Sequence, residues 1–353
     1  MNFARQRLCQ CRLLPKSRGR LYSQAHPEPR KPASRVTAIN LGLGAVAGLS
    51  YYFFYPDESR SAPTSTTALL SPSHFTPSTV ISNEVSGPDT KLLELVVPPE
   101  LLPSRESSTS PFDPIWSVYI KDDDIQVERP YTPLEGVDEH GRMLFWIKKY
   151  PKGEVGRWLH SKNPGEKIEL RGPLTTWPWK EGEWDEIIMI SGGTGITPFY
   201  QLFHIVISRS SQSKTRFTLL HSSRTPAELP PPRIVDSLST FAAQNPDKFR
   251  IELFVDSREG PPPPAHLPSV HLGRIGRPAI ERTLGVDNRA SWWRSPFGKP
   301  EAPKSNRKIL FLVCGPDPMI NAISGPFGRN FSQGPIGGVL GEMGFSANEV
   351  RKL

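Results

Sequence analysis

The sequence predicts two folded domains in series, α+β and then α/β. An antiparallel β-barrel comes first, a parallel-sheet domain follows, and a transmembrane helix precedes both. Three observations carry this reading. From about residue 75, short stretches of alternating polarity recur between Gly and Pro punctuation, as in a small barrel. At 187–190 a continuous apolar run, IIMI, enters a glycine-rich turn and then a helical period, as in a parallel α/β unit. Residues 36–55 form an uncharged stretch with the length of a membrane span. At 353 residues the chain has room for two ordinary domains plus extensions.

Residues 1–35 read as a mitochondrial targeting segment. Arg5, Arg7, Arg12, Lys16, Arg18 and Arg20 fall in residues 1–25, which hold no Asp or Glu. The next stretch, 36–55, holds one strongly polar side chain, Asn40, and places Tyr51, Tyr52 and Tyr55 where an aromatic belt sits. As a helix it rises about 30 Å, the thickness of a bilayer's hydrocarbon core. Arg35 precedes it, and Asp57 and Glu58 follow. That charge bias expects a single pass through the mitochondrial inner membrane, with the folded body in the intermembrane space. Residues 56–74, rich in Pro, Ser and Thr, read as a flexible linker.

Composition also excludes several classes. The chain has 43 basic and 35 acidic residues, and nine and one of these fall in residues 1–36, which leaves 34 of each elsewhere. The neutral body offers no field to attract a nucleic acid. Two of the three cysteines, Cys9 and Cys11, lie in the leader, so the body has one thiol, Cys314. One thiol supports neither a disulfide framework nor an iron–sulfur cluster. The eight histidines show no paired metal-ligand spacing, and no metal is expected.

The first domain is expected over 75–178, with strands at 90–97, 115–120, 124–129, 143–148 and 167–171 and one brief helix at 155–160. It contains Arg129-Pro130-Tyr131-Thr132 and, further on, Ile147-Lys148-Lys149-Tyr150 followed by Gly153-Glu154-Val155-Gly156. A guanidinium offers planar donors to phosphate oxygens, an aromatic face covers a flat ring, and a helix-opening turn presents backbone N–H groups to an anion.

The second domain is expected over 184–353. The run IIMI leads into Ser191-Gly192-Gly193-Thr194-Gly195-Ile196-Thr197-Pro198, with a helix at 197–208. Strand, glycine turn and helix together cradle a pyrophosphate, because glycines allow close approach and the helix start favours negative charge. A strand at 218–220 leads to His221-Ser222-Ser223-Arg224, then a helix near 234–243 and a strand at 249–255 continue the alternation. The run 308–313, KILFLV, ends at Cys314-Gly315-Pro316-Asp317-Pro318-Met319. This places the thiol at the carboxyl end of a strand, where open α/β sheets bind ligands. Two insertions, 259–278 and 286–305, interrupt the domain; the second carries Trp292, Trp293, Arg289, Arg294 and Lys299.

On RPYT, IKKY with GEVG, GGTGITP and CGPDPM, residues 75–353 resemble the ferredoxin–NADP reductase superfamily, and most closely its NADH–cytochrome b5 reductase branch. The resemblance implies an FAD-binding barrel followed by an NAD(P)-binding domain, with FAD and NADH or NADPH as cofactors. It implies that Arg129 pairs with the FAD pyrophosphate, that Tyr131 packs on the isoalloxazine, and that the Thr132 hydroxyl points at flavin N5. Pro130, Lys148, Tyr150, Gly153 and Gly156 complete the flavin side, with Gly156 where the family usually has Ser. On the nucleotide side it implies Gly192, Gly193, Thr194, Gly195, Thr197, Pro198, Gly315, Pro316 and Met319, with Arg224 beside the adenosine. Cys314 sits next to the nicotinamide, so Thr132 and Cys314 are the implied catalytic pair. Members usually close on an aromatic that covers the flavin; here the last residue is Leu353, with Phe345 upstream.

The expected function is transfer of a hydride from NAD(P)H to FAD and then of electrons to haem or a haem protein. Two acceptors fit: the machinery that attaches haem to cytochrome c, favoured by the leader, the anchor, the loops and the G-x-x-G turn, and cytochrome b5. A reading of another class is a membrane-tethered scaffold that has lost turnover.

Overall fold

The computed structural model describes residues 62–103, 112–122, 127–209, 213–285, 307–329 and 332–353. The expected targeting segment, the span at 36–55 and the basic insertion lie outside these residues. Among the described residues no helix is long and apolar enough to cross a membrane.

The first sheet comprises β1 (Thr76–Gly87), β2 (Thr90–Val96), β3 (Ile115–Lys121), β4 (Glu128–Tyr131), β5 (Arg142–Lys148) and β6 (Lys167–Trp177). It is antiparallel, in the order β4-β3-β6-β1-β2-β5. Alternation sends Leu93 and Leu95 of β2, Met143, Phe145 and Ile147 of β5, and Val118 and Ile120 of β3 into one core. The Leu134 N–H just after β4 donates to the Leu144 carbonyl of β5 at 2.8 Å, so the two sheet edges meet as in a barrel. Helix α1 (Glu154–Ser161) adds Val155 and Leu159 to that core. The Asn83 amide of β1 satisfies its last carbonyls, donating to Leu159 O and Lys162 O at 2.8 and 2.7 Å.

Of the strand expected at 124–129, residues 124–126 lie outside the described residues, and the strand observed next to them is β4, Glu128–Tyr131. Arg129-Pro130-Tyr131 are therefore strand residues, on the edge position that a proline tolerates because no further strand needs its missing N–H.

The second sheet is wholly parallel, in the order β10-β9-β8-β7-β11-β12. Its elements run β7 (Glu186–Gly192), α2 (Thr197–Leu202), β8 (Arg216–Ser223), α3 (Pro232–Gln244), β9 (Phe249–Val255), β10 (Val270–Leu272), α4 (Arg277–Leu284), β11 (Ile309–Cys314), α5 (Asp317–Ser324), α6 (Gly338–Glu342) and β12 (Val350–Lys352). After α2 the expected helix widens into a π-helical turn, Phe203–Ile207. Helices cover both faces, so the strands are apolar on both. Ile187 and Met189 face one core, and Ile188 and Ile190 face the other. The stretch 259–278, expected as an inserted loop, supplies β10 and the first turn of α4.

The two halves share a core. Ile115, Leu134 and Trp146 of the barrel pack in one cluster with Phe199, Leu202 and Leu219 of the second domain. The connecting segment is pinned by Trp179, whose ring lies 5.9 Å from Trp177 and 5.7 Å from Phe217.

Candidate functional site

Strand order reverses between β7 and β11: the chain proceeds from β7 to β8 on one side, and β11 returns on the other. The carboxyl ends of this pair form the switch-point crevice of an open parallel sheet. The two motifs of the second domain leave from these ends. Cys314 is in register with Ser191, one residue before the glycine turn. The turn is packed to contact. A Cβ on Gly195 would overlap the Cys314 carbonyl, and one on Gly192 would come within 2.6 Å of Met319 Sδ. Met319 thus supports the crevice from below. Cys314 keeps some surface open, yet the protein around it pushes the thiol up to about 12, so it is protonated at neutral pH.

Opposite this crevice stands the barrel. Arg129 lies on edge strand β4, with its Nη1 donating to the Glu128 carbonyl at 2.8 Å. Glu128 is held in turn by Arg171, at 2.7 Å, in a largely buried pair that ties β4 to β6. Burial raises the Tyr131 phenol well above its ordinary range, against the opposing pull of Arg129. Tyr150 is raised by burial too, although its hydroxyl bonds Thr194 across the gap. Helix α1 opens on Gly153, and its first turn faces the gap. A Cβ on Gly156 would come 3.0 Å from the Lys148 carbonyl, so a serine there would press on β5.

Between the halves lies a cavity of about 720 Å³. Arg129, Pro130, Tyr131, Thr132, Lys148, Tyr150, Gly153 and Gly156 line it from the barrel, and Gly192, Thr194, Gly195, Thr197, Pro198, Cys314, Gly315 and Pro316 from the second domain. Three expected site residues do not line it. Gly193 turns the chain at φ +53°, Met319 packs beneath, and Arg224 lies outside, donating to Glu228 Oε2 at 3.0 Å.

Sequence reasoning missed several participants. Ser117 and Tyr119 line the cavity from β3; their signal is a period-two pair beside the edge strand. Glu228 was passed over, although it takes Lys148 of the barrel at 2.6 Å as well as Arg224. Of the two residues left open for the covering position, Leu353 lines the cavity, its N–H bonded to the Val313 carbonyl at 2.9 Å. Phe345 is buried against Phe311, centroids 4.6 Å apart, on the other face of the sheet, and so does not cover the cavity.

The cavity suits a dinucleotide on each wall. It has glycines where phosphates must approach backbone, a guanidinium and a helix start on the barrel side, and Tyr131 beside the space a flat ring needs. Residues 114–179 match the family model described as oxidoreductase FAD-binding domain, and residues 189–262 match that described as oxidoreductase NAD-binding domain. The chain is 32% identical over 227 residues to NADH-cytochrome b5 reductase 2 of Scheffersomyces stipitis, covering 64% of this chain and 67% of that protein. It is 26% identical over 321 residues to the protein of the same name from Kluyveromyces lactis, covering 91% and 98%. Its fold is similar to that of the cytochrome b5 reductase domain of Ulva prolifera nitrate reductase, with a TM-score of 0.57 at 21% identity over 81% of this chain and all of that one. With an FAD-binding barrel joined to an NAD(P)-binding sheet across a common cavity, the chain is an FAD-dependent NAD(P)H oxidoreductase and belongs to the NADH–cytochrome b5 reductase family.

Proposed function

We propose that this protein draws electrons from NAD(P)H through FAD to a haem protein, with Thr132 and Cys314 flanking the transfer. The observation that supports this most directly is that RPYT and CGPDPM both contribute walls to one cavity. Bound FAD supplies the redox chemistry, accepting two electrons from a nicotinamide and releasing them singly to a haem. The chain itself binds and aligns. Arg129 holds the FAD pyrophosphate from the barrel, with the α1 start and Gly153 and Gly156 behind it. Tyr131 would pack on the flat ring, and Thr132 would offer it a hydroxyl; both line the cavity. Lys148 and Tyr150 complete that wall. Gly192, Gly193, Thr194 and Gly195 cradle the nicotinamide nucleotide's phosphates, and Thr197, Pro198, Gly315 and Pro316 shape the crevice. Cys314, kept as a neutral thiol by burial, orients by contact and does not react. Arg224 serves the adenosine end.

A cytochrome b5-type acceptor is favoured by the names of the fungal relatives. Delivery of electrons to haem during its attachment to cytochrome c is the second reading, favoured by Gly156 in the α1 turn. Both readings place the body in the intermembrane space, tethered to the mitochondrial inner membrane through residues 36–55. The test is direct. The purified protein, with FAD bound, is mixed with NADH or NADPH and then with cytochrome b5 or free ferric haem. Bleaching of the flavin followed by rapid reduction of cytochrome b5 supports the first acceptor. Reduction of haem alone supports the second, and a flavin that neither nucleotide bleaches overturns the proposal.

A further inference from the structure

One side chain joins the two walls of the cavity without lining it. Gln201, in α2, is fully buried. Its Oε1 accepts the Trp116 backbone N–H of β3 at 2.8 Å, and its Nε2 donates to the Pro133 carbonyl at 2.9 Å. Both bonds cross from the second domain to the barrel, and both end on buried backbone. Each end of this bridge is close in sequence to the site. Pro133 follows Thr132, and Trp116 precedes Ser117; Thr132 and Ser117 line the cavity. On the helix, Gln201 lies four residues after Thr197 and three after Pro198, so it shares a face with residues that line the opposite wall.

The surrounding interface is apolar, formed by Ile115, Leu134 and Trp146 against Phe199 and Leu202. Apolar contacts hold surfaces together but fix their register less sharply, because the hydrophobic effect is non-directional. Two hydrogen bonds with defined directions do fix it. A planar amide that uses its acceptor on one strand and its donor on the segment after another sets where both lie relative to α2. Turning the amide would leave a buried N–H and a buried carbonyl unpaired, so it has little freedom to turn.

We propose that Gln201 is a positioning residue: it fixes the Thr132 segment relative to the nucleotide turn, and so sets the alignment of the two bound rings. This rests on the reading that Thr132 flanks the flavin. The test uses the holoenzyme and two variants. Gln201→Met keeps length and volume and loses both bonds; Gln201→Glu keeps the acceptor for Trp116 and loses the donor to Pro133. Flavin reduction by NADH is followed under anaerobic conditions, together with the long-wavelength charge-transfer absorption that reports stacking of reduced flavin on NAD⁺. Both variants are expected to retain FAD, to reduce it at least tenfold more slowly, and to show a weakened charge-transfer band. A fold-supporting residue would lower thermal stability and leave rate and band unchanged in the folded fraction. Reduction within twofold of the parent, with the parent's band, in either variant that retains FAD overturns the proposal. Loss of FAD from both variants overturns it too, because Gln201 would then be a stability determinant. Failure of the parent itself to reduce its flavin with NADH refutes the underlying reading instead.

Discussion

His221 should make this protein acid-sensitive by a calculable amount. It is fully buried in β8, where Ser191 Oγ lies 2.8 Å from Nδ1 and Ser223 Oγ lies 3.2 Å from Nε2. Ser223 spends its proton on the Glu228 carbonyl, so it accepts from Nε2–H, and Nδ1 accepts from Ser191. The ring is therefore neutral, and burial holds it down to about 3 from its ordinary 6.5. The sign follows from linkage. Below 6.5 the unfolded chain takes up a proton that the folded chain refuses, so stability present above that pH is lost as pH falls towards 3. Between pH 8 and pH 5 the unfolded state gains a factor of about 30, which is roughly 2 kcal/mol. The perturbation is His221→Gln, which cannot titrate. The assay is urea unfolding at pH 8, 7, 6 and 5 with saturating FAD. The variant should be less stable at pH 8, since it loses hydrogen bonds worth about 1 kcal/mol each. The gap between parent and variant should then close by about 2 kcal/mol at pH 5. His160 and His204, also lowered by burial, titrate in both proteins and cancel. An identical pH slope in the two proteins would refute the reasoning.

Three further outcomes follow from the site. Gly195→Ala drives a methyl into the Cys314 carbonyl and should raise the KM for the nicotinamide nucleotide more than tenfold, with about 1–3 kcal/mol of lost stability; steady-state kinetics and thermal unfolding check it. Arg129→Ala should strip FAD, read as a fall in the flavin-to-protein absorbance ratio of the purified protein, and full retention would count against its pyrophosphate role. Lys148 and Glu228 are 10% and 12% exposed, so removing either charge leaves the other largely buried. Lys148→Met and Glu228→Gln should each cost about 3 kcal/mol, and the double variant less than their sum; a double-mutant cycle from urea unfolding tests this, and simple additivity would dismiss the pair.

What the sequence legibly determined is what acts through neighbouring backbone. The Gly192–Gly195 turn could be read because an apolar strand, a tight turn and a helix start are constraints of a few consecutive residues. The strand expected at 249–255 is β9, for the same reason. The tertiary structure alone decided which segments meet. Glu228 reaches Lys148 across 80 positions, and Gln201 reaches Trp116 and Pro133 across 85 and 68. Edge strands β10 and β12, three residues each, carry too little pattern to be seen before a sheet exists to receive them. Phe345 and Leu353 show the limit most clearly. The sequence left the covering position open between the two; packing on Phe311 buries Phe345 on the far face, and the β12 pairing brings Leu353 to the cavity. Residue type sets what a side chain can do, whereas the burial of apolar surface between distant segments sets where it does it.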